Sequence, residues 1–157
     1  TGLAEGRPLI VRSANDKFNL ANFIRTNLYA TVAVLKLGND VLFKEEQVKV
    51  DRITGHGRLF KTPGVGQRVL AAALNSPISV METAGEGGAW GIALLAGYLV
   101  NNPKGLNLSD YLDKVVFAGN TGTEIAPTPE DVEGFNKYIE NYKACLPIEQ
   151  AAVLNKK

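Results

Sequence analysis

The apolar positions of the first third of the chain recur at three- and four-residue spacing. This spacing begins at Phe18 and predicts one amphipathic helix that runs to about Lys44, with Asn15 or Asp16 available to cap its start. We expect the apolar stripe to face the core, as such stripes do in globular proteins. Its members are Leu20, Phe23, Ile24, Leu28, Thr31, Val34, Leu35, Gly38, Val41 and Leu42. The polar positions between them face solvent or a partner, and these are Asn19, Asn22, Arg25 and Asn27.

Three shorter apolar segments have the length and pattern of β-strands. RPLIVR, residues 7–12, is a short strand candidate, and in VKVDRI, residues 48–53, apolar and polar positions alternate. ISVM, residues 78–81, is almost wholly apolar and therefore predicts a strand that is buried on both faces.

Two helices are expected to flank the last of these strands. Thr62 and Pro63 have the residue types of an N-cap and a first helical residue, and VGQRVLAAALN follows them until Asn75, Ser76 and Pro77 stop the helix. The segment ETAGEGGAWGIALLAGYLV is helical in period but contains five glycines. Glycines inside a helix indicate that another element or a ligand approaches the backbone closely.

The last third of the chain is expected to be mostly helical. Ser109 could cap a short helix, and VFAGNTGTEIAPTPED, residues 116–131, is interpreted as a loop. Thr128, Pro129 and Asp131 mark the start of a final helix. Its apolar stripe consists of Phe135, Tyr138, Ile139 and Tyr142. Strands that alternate with helices indicate the α/β class.

Composition narrows the possible functions. The 157 residues suffice for one domain, and a net charge of +1 gives no basic field for nucleic acid or an anionic membrane. No run of about 18 apolar residues occurs, so no membrane span is predicted. The single cysteine, Cys145, cannot form an internal disulfide, which fits a reducing cytoplasm. Because the chain begins at Thr1 without a methionine, we expect it to be part of a larger protein.

The candidate chemistry is concentrated after the second predicted strand. Gly55-His56-Gly57 ends that strand and a helix start follows, an arrangement in which backbone N–H groups and the helix dipole favour an anion such as phosphate. Neither G-x-G-x-x-G nor the phosphate-binding G-x-x-x-x-G-K-[ST] is present. A tight turn that needs positive φ explains the glycines equally well.

The side chains near this turn allow several roles. His56 is the only histidine and has no cysteine cluster beside it, which argues against a metal site and leaves a donor to phosphate or ribose. Lys61 could meet a phosphate as a point charge or be solvated. Glu82 and Glu86 lie four residues apart at a helical N-terminus, where acid–base chemistry is possible but a helix-dipole role is favoured.

The segment GHGRLFKTPGVGQRVLAAALNSPISVMETAGEGGAWGIALLAGYLV resembles the C-terminal ATP-binding segment of the FGGY carbohydrate kinases. The matching parts are the Gly55-His56-Gly57 turn, the helix from Gln67, the strand after Pro77, Glu82 and the run Gly91 to Ala96. The preceding helix NLANFIRTNLYATVAVLKLG resembles the second signature helix of that family, so the resemblance covers roughly residues 17–100.

The resemblance implies an actin-like ATPase (RNase H-like) fold, here the C-terminal nucleotide-binding domain over residues 1–157. Its core would span about 7–100 and a helical tail about 101–157, as an incomplete copy that lacks the N-terminal sugar-binding domain. It further implies transfer of the ATP γ-phosphate to a sugar hydroxyl with Mg²⁺. The implied nucleotide-binding residues are Gly55, His56, Gly57, Lys61 and Gln67. The catalytic aspartate would lie upstream, so we expect this chain alone to be inactive.

Three departures from the family pattern bear on the expected branch. His56 replaces the middle glycine of the turn, the loop from Arg58 to Gly66 is longer than usual, and Thr26 or Asn27 stands where the signature helix often has Glu-Gly. Together they favour a ribulokinase- or xylulokinase-like protein acting on a pentulose such as ribulose or xylulose. Two alternatives stay open: a ligand-binding α/β module without chemistry, and an assembly domain that forms a homodimer through the long helix.

Overall fold

The computed structural model describes residues 5–6, 8–50, 52–102, 104–119 and 122–155, without the side chain of Glu86. The chain divides into two compact units. The helical unit comprises Thr1–Lys49, Ala72–Asn75 and Pro127–Lys157, and the sheet unit comprises Val50–Ala71 and Ser76–Ala126. The predicted combination of helices and strands is confirmed.

Two long helices form the helical unit. α1 spans Leu20–Asp40, and its N-cap Asn19 accepts a hydrogen bond from the Asn22 amide through its side chain. The cap therefore lies a few residues after the predicted Asn15 and Asp16. A π-helical turn, Val41–Glu45, follows α1 directly, so helical structure ends where the sequence predicts.

Aromatic side chains join α1 to the last helix of the chain, α5, which spans Pro129–Leu154. The Tyr29 ring lies 4.9 Å from that of Phe135 and 5.3 Å from that of Tyr138, measured between centroids. Val32 and Ala33 on α1 and Phe135 and Ile139 on α5 are buried.

The predicted core stripe of α1 is wrong as a burial pattern. Most of its large apolar side chains are exposed in the structure, including Leu20, Ile24, Val34, Leu35, Val41 and Leu42. The buried positions Val32 and Ala33, three and four residues after Tyr29, lie on the same helix face as Tyr29. The reason is that the large rings of α5 pack there, and helical periodicity alone does not tell which face a partner helix covers.

The sheet unit is built on three short strands in the order β1-β2-β3. These are β1, Ile53–Gly55; β2, Ile78–Val80; and β3, Thr123–Ile125. β1 pairs parallel with β2, so that Ile53 lies opposite Ile78, and β2 pairs antiparallel with β3. A 3₁₀ helix, Arg58–Lys61, and helix α2, Val65–Leu74, connect β1 to β2.

Helices also follow β2. A 3₁₀ helix, Glu82–Glu86, leads into α3, Gly87–Val100. The short helix α4, Leu108–Tyr111, is capped by Asn107 and not by the predicted Ser109, because the Asn107 side chain accepts from the Asp110 amide. A π-helical turn, Leu112–Val116, completes it. None of the helices in the described ranges is long and apolar enough to cross a lipid bilayer.

The buried strand after Pro77 is confirmed as β2, the strand predicted over residues 48–53 is present as β1 but starts later, and the strand predicted over residues 7–12 is wrong over its described part, residues 8–12. Residues 8–12 and 48–50 have no regular structure and are exposed, while Arg7 and Asp51 lie outside the described residues. β1 begins only at Ile53, where pairing with β2 becomes possible. The predicted loop over residues 116–131 contains β3, since pairing with distant β2 makes Thr123–Ile125 a strand.

Candidate functional site

The turn after β1 contains one glycine that is buried and one whose Cα faces open space. Gly55 is buried, and Gly57 has φ of +104°, a conformation that L-residues with side chains rarely adopt. The Gly57 amide donates a hydrogen bond of 2.6 Å to the Ala84 carbonyl in the 3₁₀ helix before α3. A Cβ on Gly57 would meet nothing within 4 Å, so this part of the backbone faces open space.

The segment from Arg58 to Gly66 folds tightly onto the turn. The Phe60 ring occupies the space into which a Cβ on Gly55 would project. The Phe60 amide donates to the Gly57 carbonyl at 3.1 Å. A Cβ on Gly66 would lie 2.7 Å from the Leu59 carbonyl oxygen. The glycines therefore serve close packing within this segment as well as the turn itself.

The start of α2 differs from the prediction. Thr62 does not cap this helix, because Gly64 with φ of +76° separates it from the first helical residue, Val65. The Thr62 carbonyl instead accepts a long bond of 3.4 Å from the Val65 amide. This left-handed glycine is the physical reason that the helix begins two residues after Pro63.

Both basic candidate side chains lie against glycines of the next element. A Cβ on Gly87 would be 3.0 Å from Nδ1 and 3.1 Å from Cβ of His56. A Cβ on Gly85 would be 3.4 Å from both Cγ and Cε of Lys61. The close approach expected of the glycine-rich helix is confirmed at these two positions. At Gly88 and Gly91 it is wrong, because a Cβ there would meet nothing within 4 Å.

A pocket of about 280 Å³ flanks the turn. Its lining is mostly apolar, and the Trp90 and Phe117 rings on it lie 5.7 Å apart between centroids. The lining residues are Thr54, Gly55, His56, Met81, Thr83, Ala84, Gly87, Trp90, Gly91, Leu94, Leu95, Leu112 and Phe117. Mostly apolar walls with a few polar groups are typical of small-molecule sites.

Gln67 lies in the core of the sheet unit, away from the wall of this pocket. Only 5% of its surface is exposed. Its Nε2 donates to the carbonyl oxygens of Ile78 at 3.2 Å and Thr123 at 3.0 Å. The Thr123 hydroxyl donates to its Oε1 at 3.4 Å. The amide thus joins β2 to β3, whereas the other four candidate residues are brought together at the turn.

Glu82 and Glu86, the candidate carboxylate pair, are the first and last residues of the 3₁₀ helix that precedes α3. Glu82 is exposed, and the Glu86 side chain is outside the described residues. In the described ranges no group of three or more histidine, cysteine, aspartate or glutamate side chains could hold a metal ion.

Sequence reasoning missed the aromatic part of the pocket. Trp90 is the only tryptophan of the chain and stands in a glycine-rich helix, which could have drawn attention to it. Phe117 lies in a segment interpreted as a loop, and no local pattern connects it with the turn.

The family model for the C-terminal domain of the FGGY family of carbohydrate kinases matches residues 1–100 of the sequence. The chain belongs to this family. The matched residues include the glycine turn, α2, β2 and α3, while β3 and Phe117 lie beyond them. Neither curated proteins nor solved structures give a match. An FGGY C-terminal domain implies the actin-like ATPase fold, with which the mixed α/β sheet unit and the helical tail are consistent.

Proposed function

We propose that this FGGY chain is the nucleotide-binding half of a sugar kinase. In this proposal Gly55, His56, Gly57 and Lys61 contact the adenosine or α-phosphate side of ATP, and Gln67 holds the sheet beneath them. The observation that carries it is the open backbone of Gly57, which leaves room for a ligand next to two basic side chains. A backbone without side chains allows a phosphate to approach closely.

The size of the pocket supports a binding mode in which only part of the ATP molecule enters it. Its volume of about 280 Å³ is slightly below the range of about 300–1,000 Å³ that is usual for whole small-molecule ligands. The apolar lining suits a base or ribose better than a phosphate. We therefore propose that only the nucleoside portion enters and that the triphosphate lies outside, towards the basic side chains.

Magnesium would arrive with the nucleotide in this account. Mg²⁺ in kinase sites keeps several water ligands and is bound through one or two carboxylates and the substrate phosphates, so the triphosphate would supply part of its coordination. When bound, the ion neutralises negative charge on the phosphoryl group that is transferred.

The remaining parts of the reaction are assigned to another domain. The Asp16 carboxylate accepts from the Ser13 amide, and that of Asp40 is paired with Lys36 and Lys44. Neither has a motif that would make it the catalytic base. We propose that a sugar-binding domain supplies the base, that the full enzyme is cytoplasmic, and that it phosphorylates a pentulose such as ribulose or xylulose. The long loop from Arg58 to Gly66 is the feature that supports this branch.

Calorimetric titration with ATP and ADP tests the proposal. The 157-residue chain should bind both, and Lys61→Ala should bind ATP about tenfold more weakly, the loss expected for a hydrogen bond to a charged group. Lys104→Ala, which removes an exposed lysine elsewhere in the sheet unit, is the matched control and should bind normally. Absence of nucleotide binding would overturn the proposal. Turnover of a pentulose by this chain alone would contradict the two-domain assignment.

A second candidate function is supported by the exposed apolar side of α1. Leu20 is 73% and Ile24 is 57% exposed on this helix. Exposed apolar side chains grouped on one element are typical of interaction surfaces. A homodimer through this helix would appear in light scattering as twice the chain mass, and Ile24→Asp would reduce it to the monomer. A monomeric mass for both proteins would eliminate this candidate.

A further inference from the structure

We propose that Gly87 is a positioning residue for the nucleotide site: its missing side chain sets the place of the His56 ring. The inference rests on the proposed function, because it gives that ring a role in nucleotide binding. It concerns a residue on α3 that need not touch the nucleotide itself.

The His56 side chain occupies the space beside Gly87. A Cβ on Gly87 would lie 3.0 Å from Nδ1, 3.1 Å from Cβ and 3.2 Å from Cγ of His56. Separations below about 3.4 Å between such atoms are repulsive, since carbon atoms at optimal contact are 3.5–4.0 Å apart. Because the contact includes the histidine Cβ as well as the ring, rotation of the ring alone does not remove it.

The backbone of Gly87 does not itself need a glycine. Gly87 has φ of −50° and ψ of −38°, a right-handed helical conformation that any residue adopts. Alanine would form this helix better than glycine does. Glycine therefore provides space and not a special conformation at this position, and the neighbour that occupies the space is His56.

A backbone hydrogen bond holds the turn next to His56 in place. The Gly57 amide is bonded to the Ala84 carbonyl at 2.6 Å, and Ala84 is buried. This bond fastens the backbone next to His56 to the 3₁₀ helix that precedes Gly87. A methyl group on Gly87 would consequently force a shift of a few tenths of an ångström at His56 Cβ, and this shift would carry the ring with it.

The neighbouring glycines provide graded controls. A Cβ on Gly88 would meet nothing within 4 Å, although this residue stands in the same helical turn as Gly87. A Cβ on Gly85 would reach the Lys61 side chain at 3.4 Å, which is close to an ordinary contact. The expected order of disturbance by alanine is therefore Gly87, then Gly85, then Gly88.

His56 is the only histidine, so its ring protons give a unique signal in proton NMR. Gly87→Ala should shift this signal and weaken ATP binding about tenfold, as expected when one charge-assisted hydrogen bond is misplaced. Gly88→Ala should change neither. Circular dichroism would verify that both variants keep the helical content of the wild type.

A double-mutant cycle separates positioning from a general structural effect. If Gly87 acts through His56, Gly87→Ala should weaken ATP binding in the wild type but have no further effect in a His56→Gly background, which lacks both the ring and the Cβ that Gly87 approaches. Equal losses in both backgrounds would overturn the proposal. An unshifted ring signal in Gly87→Ala, or a shifted signal with undiminished affinity, would also overturn it. Failure of the wild type to bind ATP would instead refute the proposed function, and with it the nucleotide role of Gly87. The steric contact between Gly87 and His56 would then still be tested by whether Gly87→Ala shifts the ring signal.

Discussion

The α1–α5 pair of the helical unit and the glycine turn of the sheet unit are held together by opposite means. Between the helices, the rings of Tyr29, Phe135 and Tyr138 fill space. At the turn, Gly55 and Gly66 leave space, which Phe60 and Leu59 occupy. The first region is therefore sensitive to removal of atoms and the second to their addition, because protein interiors are close-packed in both cases.

This difference also separates stability from candidate function. The helix pair relies on large side chains of ordinary backbone conformation. The turn relies on backbone that lies close to its neighbours at some glycines and remains open at Gly57. Tightly packed backbone around the open Gly57 suits a ligand site, because the packing fixes the geometry of the groups that the ligand contacts.

The largest loss of stability should come from removing a buried ring between α1 and α5. Phe135 is fully buried, and Phe135→Ala should lower the free energy of unfolding by about 3–5 kcal/mol through lost burial and the cavity left behind. Urea denaturation measures this value. Phe18→Ala, which removes a ring that is 59% exposed, is the control and should cost less than about 1.5 kcal/mol. Equal losses would show that the rings of the pair do not form a core.

Two helical glycines should respond to alanine with opposite signs. Gly66→Ala should destabilise by about 1–3 kcal/mol, because its methyl group would meet the Leu59 carbonyl oxygen at 2.7 Å. Gly134→Ala on α5 meets nothing within 4 Å and should stabilise by about 0.5–1 kcal/mol through helix propensity. Denaturation midpoints of both variants test the contrast. The same sign for both would remove the distinction between the two regions.

The next largest effect on stability should come from the buried side-chain amide of Gln67. Gln67→Met keeps the length of the side chain but leaves the carbonyl oxygens of Ile78 and Thr123 without its donor. We expect a loss of about 1–3 kcal/mol in unfolding free energy. Gln150→Met, at an exposed position of α5, is the matched control and should change the stability little. Similar stability of both variants would contradict a structural role of the Gln67 amide.

The smallest effect should depend on alkaline pH. Burial, together with the nearby Tyr142 and Cys145 side chains, raises the pKa of the Tyr138 phenol to about 12. An unfolded tyrosine ionises near pH 10. The native state therefore binds the proton more tightly, and stability that is complete below pH 10 should fall between about pH 10 and 12. Tyr138→Phe should lose less stability than the wild type over this interval, as followed by urea midpoints, and an equal loss would contradict the raised pKa.

Local signals predicted the start of α5. Thr128, Pro129 and Asp131 mark it in the sequence, and in the structure the Thr128 side chain accepts from the Asp131 amide at 3.2 Å and Pro129 is the first helical residue. A cap is decided by neighbouring side chains and the backbone, so the sequence contains all the necessary information. The face of α1 that is buried could not be predicted in the same way, because it depends on α5, which lies far along the chain.

The candidate site was predictable only in part, for a similar reason. Glycine and histidine composition drew attention to the turn, where Gly55 and His56 line the pocket, and the assignment of Gly55, His56, Gly57 and Lys61 to a nucleotide site stays a prediction. The burial of Gln67 depends on β3, which forms through pairing with distant β2. Phe117 reaches the pocket from beyond the segment that the family model matches. Residues placed by long-range pairing carry no local signature.

The most direct test of the central claim is titration of the 157-residue chain with ATP while the His56 ring signal is followed by NMR. The account predicts a saturable shift of this signal with the same dissociation constant that calorimetry gives. ATP binding that leaves the ring signal unchanged, or no binding at all, would contradict the assignment of the nucleotide to the glycine turn.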